Sequence, residues 1–75
     1  MESIEIVKIS TDMIQLDQLL KWMGLTETGG QAKFLIEAGQ IRINDCVTTE
    51  RRKKIHSVDL LVIEGKQYRI VQEKE

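Results

Sequence analysis

Apolar residues along the chain fall into two rhythms. Near the start, Ile4, Ile6 and Ile9 alternate imperfectly with polar residues, the period of a short strand. From Leu16 the period lengthens. Leu16, Leu19, Leu20 and Met23 recur at i, i+3, i+4 and i+7, one stripe of a two-turn helix, and Gly24 suits the left-handed residue that closes it. Thr28 followed three residues later by Gln31 is a capping-box pattern, in which hydroxyl and amide satisfy each other's orphan backbone donors. A second helix is therefore expected from Gly29, with Ala32, Leu35 and Ile36 on its apolar face and Gly39 ending it. Ile41 and Ile43 then flank Arg42 with the period of a half-buried strand, and Asn44 and Asp45 form a tight turn into Cys46 and Val47. An apolar run at residues 60–63, a Glu64-Gly65-Lys66 break, and the alternation of Tyr68 and Ile70 around Arg69 predict a terminal hairpin. The expected fold is α+β: two short N-terminal helices packed on a small, mostly antiparallel sheet.

Length confines this pattern to one domain over residues 1–75, too small to hold an enzyme-sized cleft beside its core. No proline, low-complexity tract or internal repeat marks a linker. The single cysteine, Cys46, excludes an internal disulfide and a multi-cysteine metal site, and a free thiol on a strand reads first as a small apolar residue. No basic N-terminal segment leads an apolar run, and no apolar stretch approaches the roughly 18 residues of a membrane span. A soluble, cytoplasmic protein with no membrane association is expected.

Charge changes the picture more than its total of −1 implies. Residues 1–20 carry Glu2, Glu5, Asp12 and Asp17 against Lys8, whereas residues 42–56 carry Arg42, Arg51, Arg52, Lys53 and Lys54 against Asp45 and Glu50. A polyanion responds to the local field of one face. Four consecutive cations at residues 51–54, read as a loop between two strands, are suited to backbone phosphates, which side chains meet without fixed geometry. As a solvated loop the same run would mean nothing. Gly29 and Gly30 offer bare amides at a helix start, or serve only as a flexible turn into it. Lys33 lies one turn further on, and Lys21 flanks from the first helix. Arg42 points outward from its strand. Trp22 and Phe34 lie off their helices' stripes and are assigned to packing at the core edge rather than to base stacking. His56 has no His, Cys or carboxylate partner at ligand spacing, so no metal is expected. No nucleophile has an apparent base or oxyanion partner, so neither catalysis nor a cofactor is expected.

The ordered series Leu16-Asp17, Leu20, Gly24-Leu25, Thr28, Ala32, Leu35-Ile36, Gly39, Ile41-Arg42-Ile43-Asn44 and Asp59 resembles the S-four RNA-binding domain, first described in a ribosomal protein, over roughly residues 14–64. Leu20-Lys21-Trp22-Met23-Gly24 and Thr28-Gly29-Gly30 resemble its stand-alone bacterial form, the YaaA/YbcJ kind. The chain departs from the family pattern at four places. Gln15 and Gly29 stand where the family has arginine, and Asp45 and Val58 where it has glycine. The resemblance implies two helices and a small sheet that together grip structured RNA, ribosomal RNA or a ribosomal-subunit precursor, without catalysis. The candidate RNA contacts read from the residues are Thr28, Gly29, Gly30, Lys33, Arg42, Arg51, Arg52, Lys53 and Lys54, with Gln15 and Lys21 as secondary candidates. The rival expectation is a protein-interaction adaptor that docks through the acidic face around Glu2, Glu5, Asp12 and Asp17.

Overall fold

The computed structural model describes residues 3–73. In chain order it runs β1 (Ile4–Ile9), β2 (Met13–Gln15), α1 (Leu16–Trp22), α2 (Gly29–Glu37), β3 (Ile41–Ile43), β4 (Cys46–Thr48), β5 (Lys54–His56), β6 (Leu60–Ile63) and β7 (Lys66–Gln72). Five strands form one sheet in the order β1-β7-β6-β3-β4, and β2 pairs with β5 in a separate two-stranded ribbon. All pairings are antiparallel except β1 with β7, where Ile4 stands beside Gln67 and Ile9 beside Gln72.

The helical stripe read from the sequence is the buried one. Leu16, Leu19 and Leu20 of α1 meet Ala32 and Ile36 of α2 over Ile41, Ile43, Leu61, Ile63, Tyr68 and Ile70 from the sheet. Met23 and Leu35 pack at its margin. Gly24 and Gly39 take φ +77° and +74°, where a Cβ would be strained, and so turn the chain at the two helix ends.

Strand β1 corrects one detail. Ile4 and Ile6 lie on its exposed side, while Val7 and Ile9 pack toward the core. The irregular spacing of the apolar residues arises because β1 is an outer strand whose second face nothing in the described structure covers.

Both departures from the family glycines, Asp45 and Val58, fall at positive φ, as do Asn44 and Glu64. Asn44 and Asp45 take φ 50° and 69° in the β3–β4 turn, and Val58 takes φ 65°. A β-branched residue at positive φ is a genuine outlier. It is held from both sides: the Val58 amide donates to the Ile70 carbonyl at 2.6 Å, and Arg69 Nη1 donates to the Val58 carbonyl at 2.6 Å. Val58→Gly relieves about 1–3 kcal/mol of strain and returns about 0.5–1 kcal/mol of chain entropy. The net gain of about 1 kcal/mol is expected to raise the melting midpoint by about 4–8 °C. A thermal melt of the two proteins checks it. An unchanged or lower midpoint would show that the valine carries a contact worth more than the strain.

Candidate nucleic-acid interface

Helix α1 begins without a side-chain cap. Its N-cap, Gln15, makes no capping hydrogen bond, yet the first amides are not left bare. The Leu16 amide donates to the Lys53 carbonyl at 2.8 Å and the Asp17 amide to the Arg51 carbonyl at 3.1 Å. The backbone of the basic run thus acts as the cap of the helix. The same run continues into β5, where Gln15 stands opposite Lys54 and Ile14 opposite Ile55. Ile55 is fully buried between exposed Lys54 and His56.

Residues 51–54 are therefore not a free loop. Lys54 belongs to a strand, and the segment before it is stitched to α1 by main-chain bonds. Strand β5 has one apolar residue, Ile55, and β2 sets Met13 and Ile14 side by side, so neither shows the alternation that Ile41 and Ile43 give β3. Arg51 also differs from its neighbours. It is half-buried, with Nε 3.9 Å from Asp17 Oδ2, so its charge is answered within the fold. Arg52, Lys53 and Lys54 are exposed and form no ion pair among the described residues.

This pairing bears on the acidic face as well. Asp17 is turned to Arg51 and also accepts the Gln18 amide at 2.9 Å, leaving Glu5 and Asp12 exposed and Glu2 outside the described residues.

A hollow of about 460 Å³ opens between the basic run and the β3–β4 hairpin, lined by Lys53, Lys54 and His56 on one side and Asn44, Val47 and Thr48 on the other. Cys46 also lines it as a free, exposed thiol on an edge strand. Its floor is organised by Asp59. The Asn44 side-chain amide donates to Asp59 Oδ1 at 3.1 Å, and the His56 backbone amide donates to Asp59 Oδ2 at 2.8 Å. Asn44 Oδ1 in turn accepts the Leu60 amide at 3.0 Å. His56 thus has a carboxylate neighbour that the sequence reading did not give it, with Nδ1 4.0 Å from Asp59 Oδ2. Arg42 stands exposed on β3, between Val47 of β4 and Val62 of β6.

The other candidates gather at a second place. Thr28 caps α2, its Oγ1 accepting the Gln31 amide at 3.2 Å. The reciprocal half of the capping box is displaced by one residue: Gln31 Oε1 accepts from the Glu27 amide, at 2.7 Å, instead of from Thr28. Thr28, Gly30, Gln31 and Phe34 line a hollow of about 520 Å³ with Leu25, Thr26 and Leu35. Lys33 is exposed on α2 and Lys21 in the last turn of α1. Two assignments to packing are corrected or sharpened here. Phe34 is 75% exposed, because its position on α2 turns it away from the sheet. Trp22 is 58% exposed, but its indole N–H donates to the Lys8 carbonyl at 2.8 Å and ties it along β1.

Comparison with known proteins places this arrangement. Among curated relatives, the "Probable ribosome maturation protein RlbA" of Bacillus subtilis (strain 168) is 34% identical over 59 residues, 79% of this chain and 83% of the relative. The "Putative RNA-binding protein YbcJ" of Escherichia coli (strain K12) is 34% identical over 58 residues, 77% of this chain and 83% of the relative. The solution structure of YbcJ from E. coli, described as revealing an "alfaL motif involved in RNA-binding", superposes with a TM-score of 0.68 at 29% identity, over 95% of this chain and 91% of that one. The 30S ribosomal protein S4e of Thermoplasma acidophilum shares the fold, with a TM-score of 0.67 at 16% identity over 80% of this chain and 32% of its own. A family model described as "S4 domain" matches residues 7–71. With that match covering most of its length and the helix pair, hairpin and clamped basic run in place, the chain belongs to the S4 domain family.

Proposed function

We propose that this protein binds structured RNA without catalysis, with ribosomal RNA or a ribosomal-subunit precursor as its target, in ribosome assembly or quality control in the cytoplasm. The observation that carries this reading is the clamping of the basic run onto the start of α1, which ties to the helix the backbone that carries three cations unpaired among the described residues. Fixed cations lose less side-chain and loop freedom on meeting phosphates than those of a mobile loop. The names of the relatives, a ribosome maturation protein and an RNA-binding protein, support the same direction.

In this reading Arg52, Lys53 and Lys54, with Arg42, take backbone phosphates. Arg51 is divided between Asp17 and the RNA, and the Thr28-Gly29-Gly30 helix start with Lys33 fixes orientation. Gln15 and Lys21 stand at the margins. Recognition rests on shape and charge, because A-form RNA keeps its base edges in a groove that side chains do not enter.

Charge reversal is best made at Arg52 and Lys53. Arg51→Glu would set a second carboxylate against Asp17, whereas the clamp uses only the backbone of Lys53. For Arg52→Glu with Lys53→Glu, anisotropy of a labelled, folded ribosomal-RNA fragment is expected to weaken at least about tenfold, and the slope of log affinity against log salt to fall by about 2. An unchanged melting curve accompanies the loss. Equal binding by variant and wild type would assign the basic run to solvent.

A further inference from the structure

We propose that the uncovered face of the five-stranded sheet docks an acidic, amphipathic helix of a protein partner, its apolar side on Ile4, Ile6, Leu60, Val62 and Val71 and its carboxylates at Lys8 and Arg69. Apart from Arg42 at its border, this face is separate from the residues assigned to RNA, and the inference does not depend on the RNA reading.

Side chains along a strand alternate between the two faces of its sheet. Ile41, Ile43, Leu61, Ile63, Tyr68 and Ile70 face the helices and form the core, so their neighbours in sequence face outward. A sheet with one solvated face normally pairs apolar inward positions with polar outward ones. Here that alternation fails. Strand β6 is apolar at every position, so Leu60 and Val62 point away from the helices and stay half-buried. Strand β7 adds Val71, and β1 adds Ile4 and Ile6, 45% and 58% exposed. The register joins them into one area: Ile6, Arg69 and Leu60 stand in a row across three strands, Ile4, Gln67 and Val62 in the next, and Lys8 beside Val71 in a third. Single apolar residues scattered on a surface are ordinary, whereas a contiguous area marks a contact surface.

Charge and size decide between occupants. The outward positions of the five strands include Lys8, Arg69 and Arg42 and no carboxylate, and the register runs these cations diagonally across the face, with Ile4 and Ile6 on one side and Leu60 and Val71 on the other. Lys8 forms no ion pair among the described residues, and Arg69 gives one of its donors to the Val58 carbonyl. A second copy packed face to face would set the cations against themselves. Strands about 4.8 Å apart, with an outward span of about 13 Å along β1, give roughly 250 Å² of flat area, well below the roughly 800 Å² per partner of a stable protein pair. A helix of about 13 residues, rising about 1.5 Å per residue, spans the width of the sheet. RNA would answer the cations and leave the isoleucines uncovered, and no outward position is aromatic, so a base finds no ring to stack on. An acidic amphipathic helix answers both features and supplies the layer that this sheet face lacks.

The test titrates methyl-labelled protein with two synthetic helical peptides of about 14 residues, both carrying leucine at i, i+3, i+4 and i+7, one with glutamate and the other with lysine at the flanking positions. NMR follows the isoleucine, leucine and valine methyls. The acidic peptide is expected to shift Ile4, Ile6, Leu60, Val62 and Val71 with a midpoint below about 1 mM, the weak range suited to so small an area, while buried Ile36 and Ile55 stay in place. The lysine peptide is expected to shift none of them. Ile6→Glu and Lys8→Glu should each weaken the acidic peptide by at least about tenfold through like-charge repulsion, and Ile6→Thr, which keeps the branched strand geometry, should weaken it by less. Ile6 and Lys8 are exposed, and a melting curve establishes that each variant is folded. No shift with the acidic peptide, equal shifts with the lysine peptide, or an affinity unchanged in Ile6→Glu overturns the inference. Changes in these methyls caused instead by a folded ribosomal-RNA fragment, by phosphatidylglycerol vesicles or by protein concentration alone would assign the face to RNA, to lipid or to self-association, and each likewise overturns it.

Discussion

Ile55→Ala is expected to lower the melting midpoint by more than about 10 °C while removing no charged group. Ile55 is fully buried at the centre of β5, opposite Ile14, with exposed Lys54 and His56 on either side. Truncating a buried isoleucine to alanine costs about 2–5 kcal/mol through lost burial and the cavity left behind. A chain of this length has about 4–11 kcal/mol in total. The functional consequence is the sharper one. Ile55 anchors β5, and β5 leads back directly into the carbonyls of Lys53 and Arg51 that cap α1. Loosening it frees the cations from their support, so RNA affinity should fall even at temperatures where the variant remains folded. Ile55→Val, which keeps most of the volume, should cost only about 0.5–1.5 kcal/mol and leave binding intact. Differential scanning calorimetry with parallel binding titrations separates the cases. A midpoint within a few degrees of wild type for the alanine variant would show that the β2–β5 ribbon is not what holds the run in place.

Asp59→Ala is the second large effect. Its carboxylate receives the Asn44 side-chain amide and the His56 backbone amide, so one substitution leaves two donors without their acceptor. Hydrogen bonds to a charged group contribute about 1.5–3 kcal/mol each, and an abandoned donor that stays sheltered carries a further penalty. Because the site is partly solvated, with the Asp59 side chain about a fifth exposed, water offsets part of the loss. A net cost of about 2–3 kcal/mol is expected, or roughly 10 °C or more in midpoint. The turn at Asn44 should loosen with it, since that residue holds φ 50° while its side chain bridges to Asp59 and Leu60. Faster amide hydrogen exchange at His56 and Leu60, relative to Ile36, is the local signature. Unchanged exchange at both would refute the bridging role, whatever the midpoint does.

The helices were legible in the sequence because their signals are local: an apolar stripe over two turns in α1, a threonine cap on α2, and a glycine after each where the chain must turn left-handed. The hairpin around Asn44 was legible for the same reason. What escaped depended on partners distant in sequence or on very short segments. Strands β2 and β5 lack the apolar pair flanking a polar residue that marks β3, so the basic run read as a loop. The Asp17–Arg51 pair joins residues on separate elements, and nothing local distinguishes Arg51 from Arg52. The resemblance named both Asn44 and Asp59 but not that they touch. Phe34 was misassigned because adjacency to an apolar stripe does not tell which side of the stripe the sheet covers. Position on α2 decides it, and only the tertiary packing shows that.

The one parallel pairing has a consequence for how the molecule comes into being. Strand β1 is the first strand of the domain in chain order, yet its hydrogen-bonding partner is β7, nearly the whole domain later. Such a contact closes a long loop, and the entropy of closing it must be met before any of its bonds form. Until residues 66–72 have emerged, β6 also lacks its neighbour on that side. The α1–α2 pair and the β3–β4 hairpin close short loops and can form earlier. Completion of the sheet is therefore tied to the last stage of the domain's synthesis, and a chain interrupted before β7 carries an unpaired apolar first strand that invites aggregation.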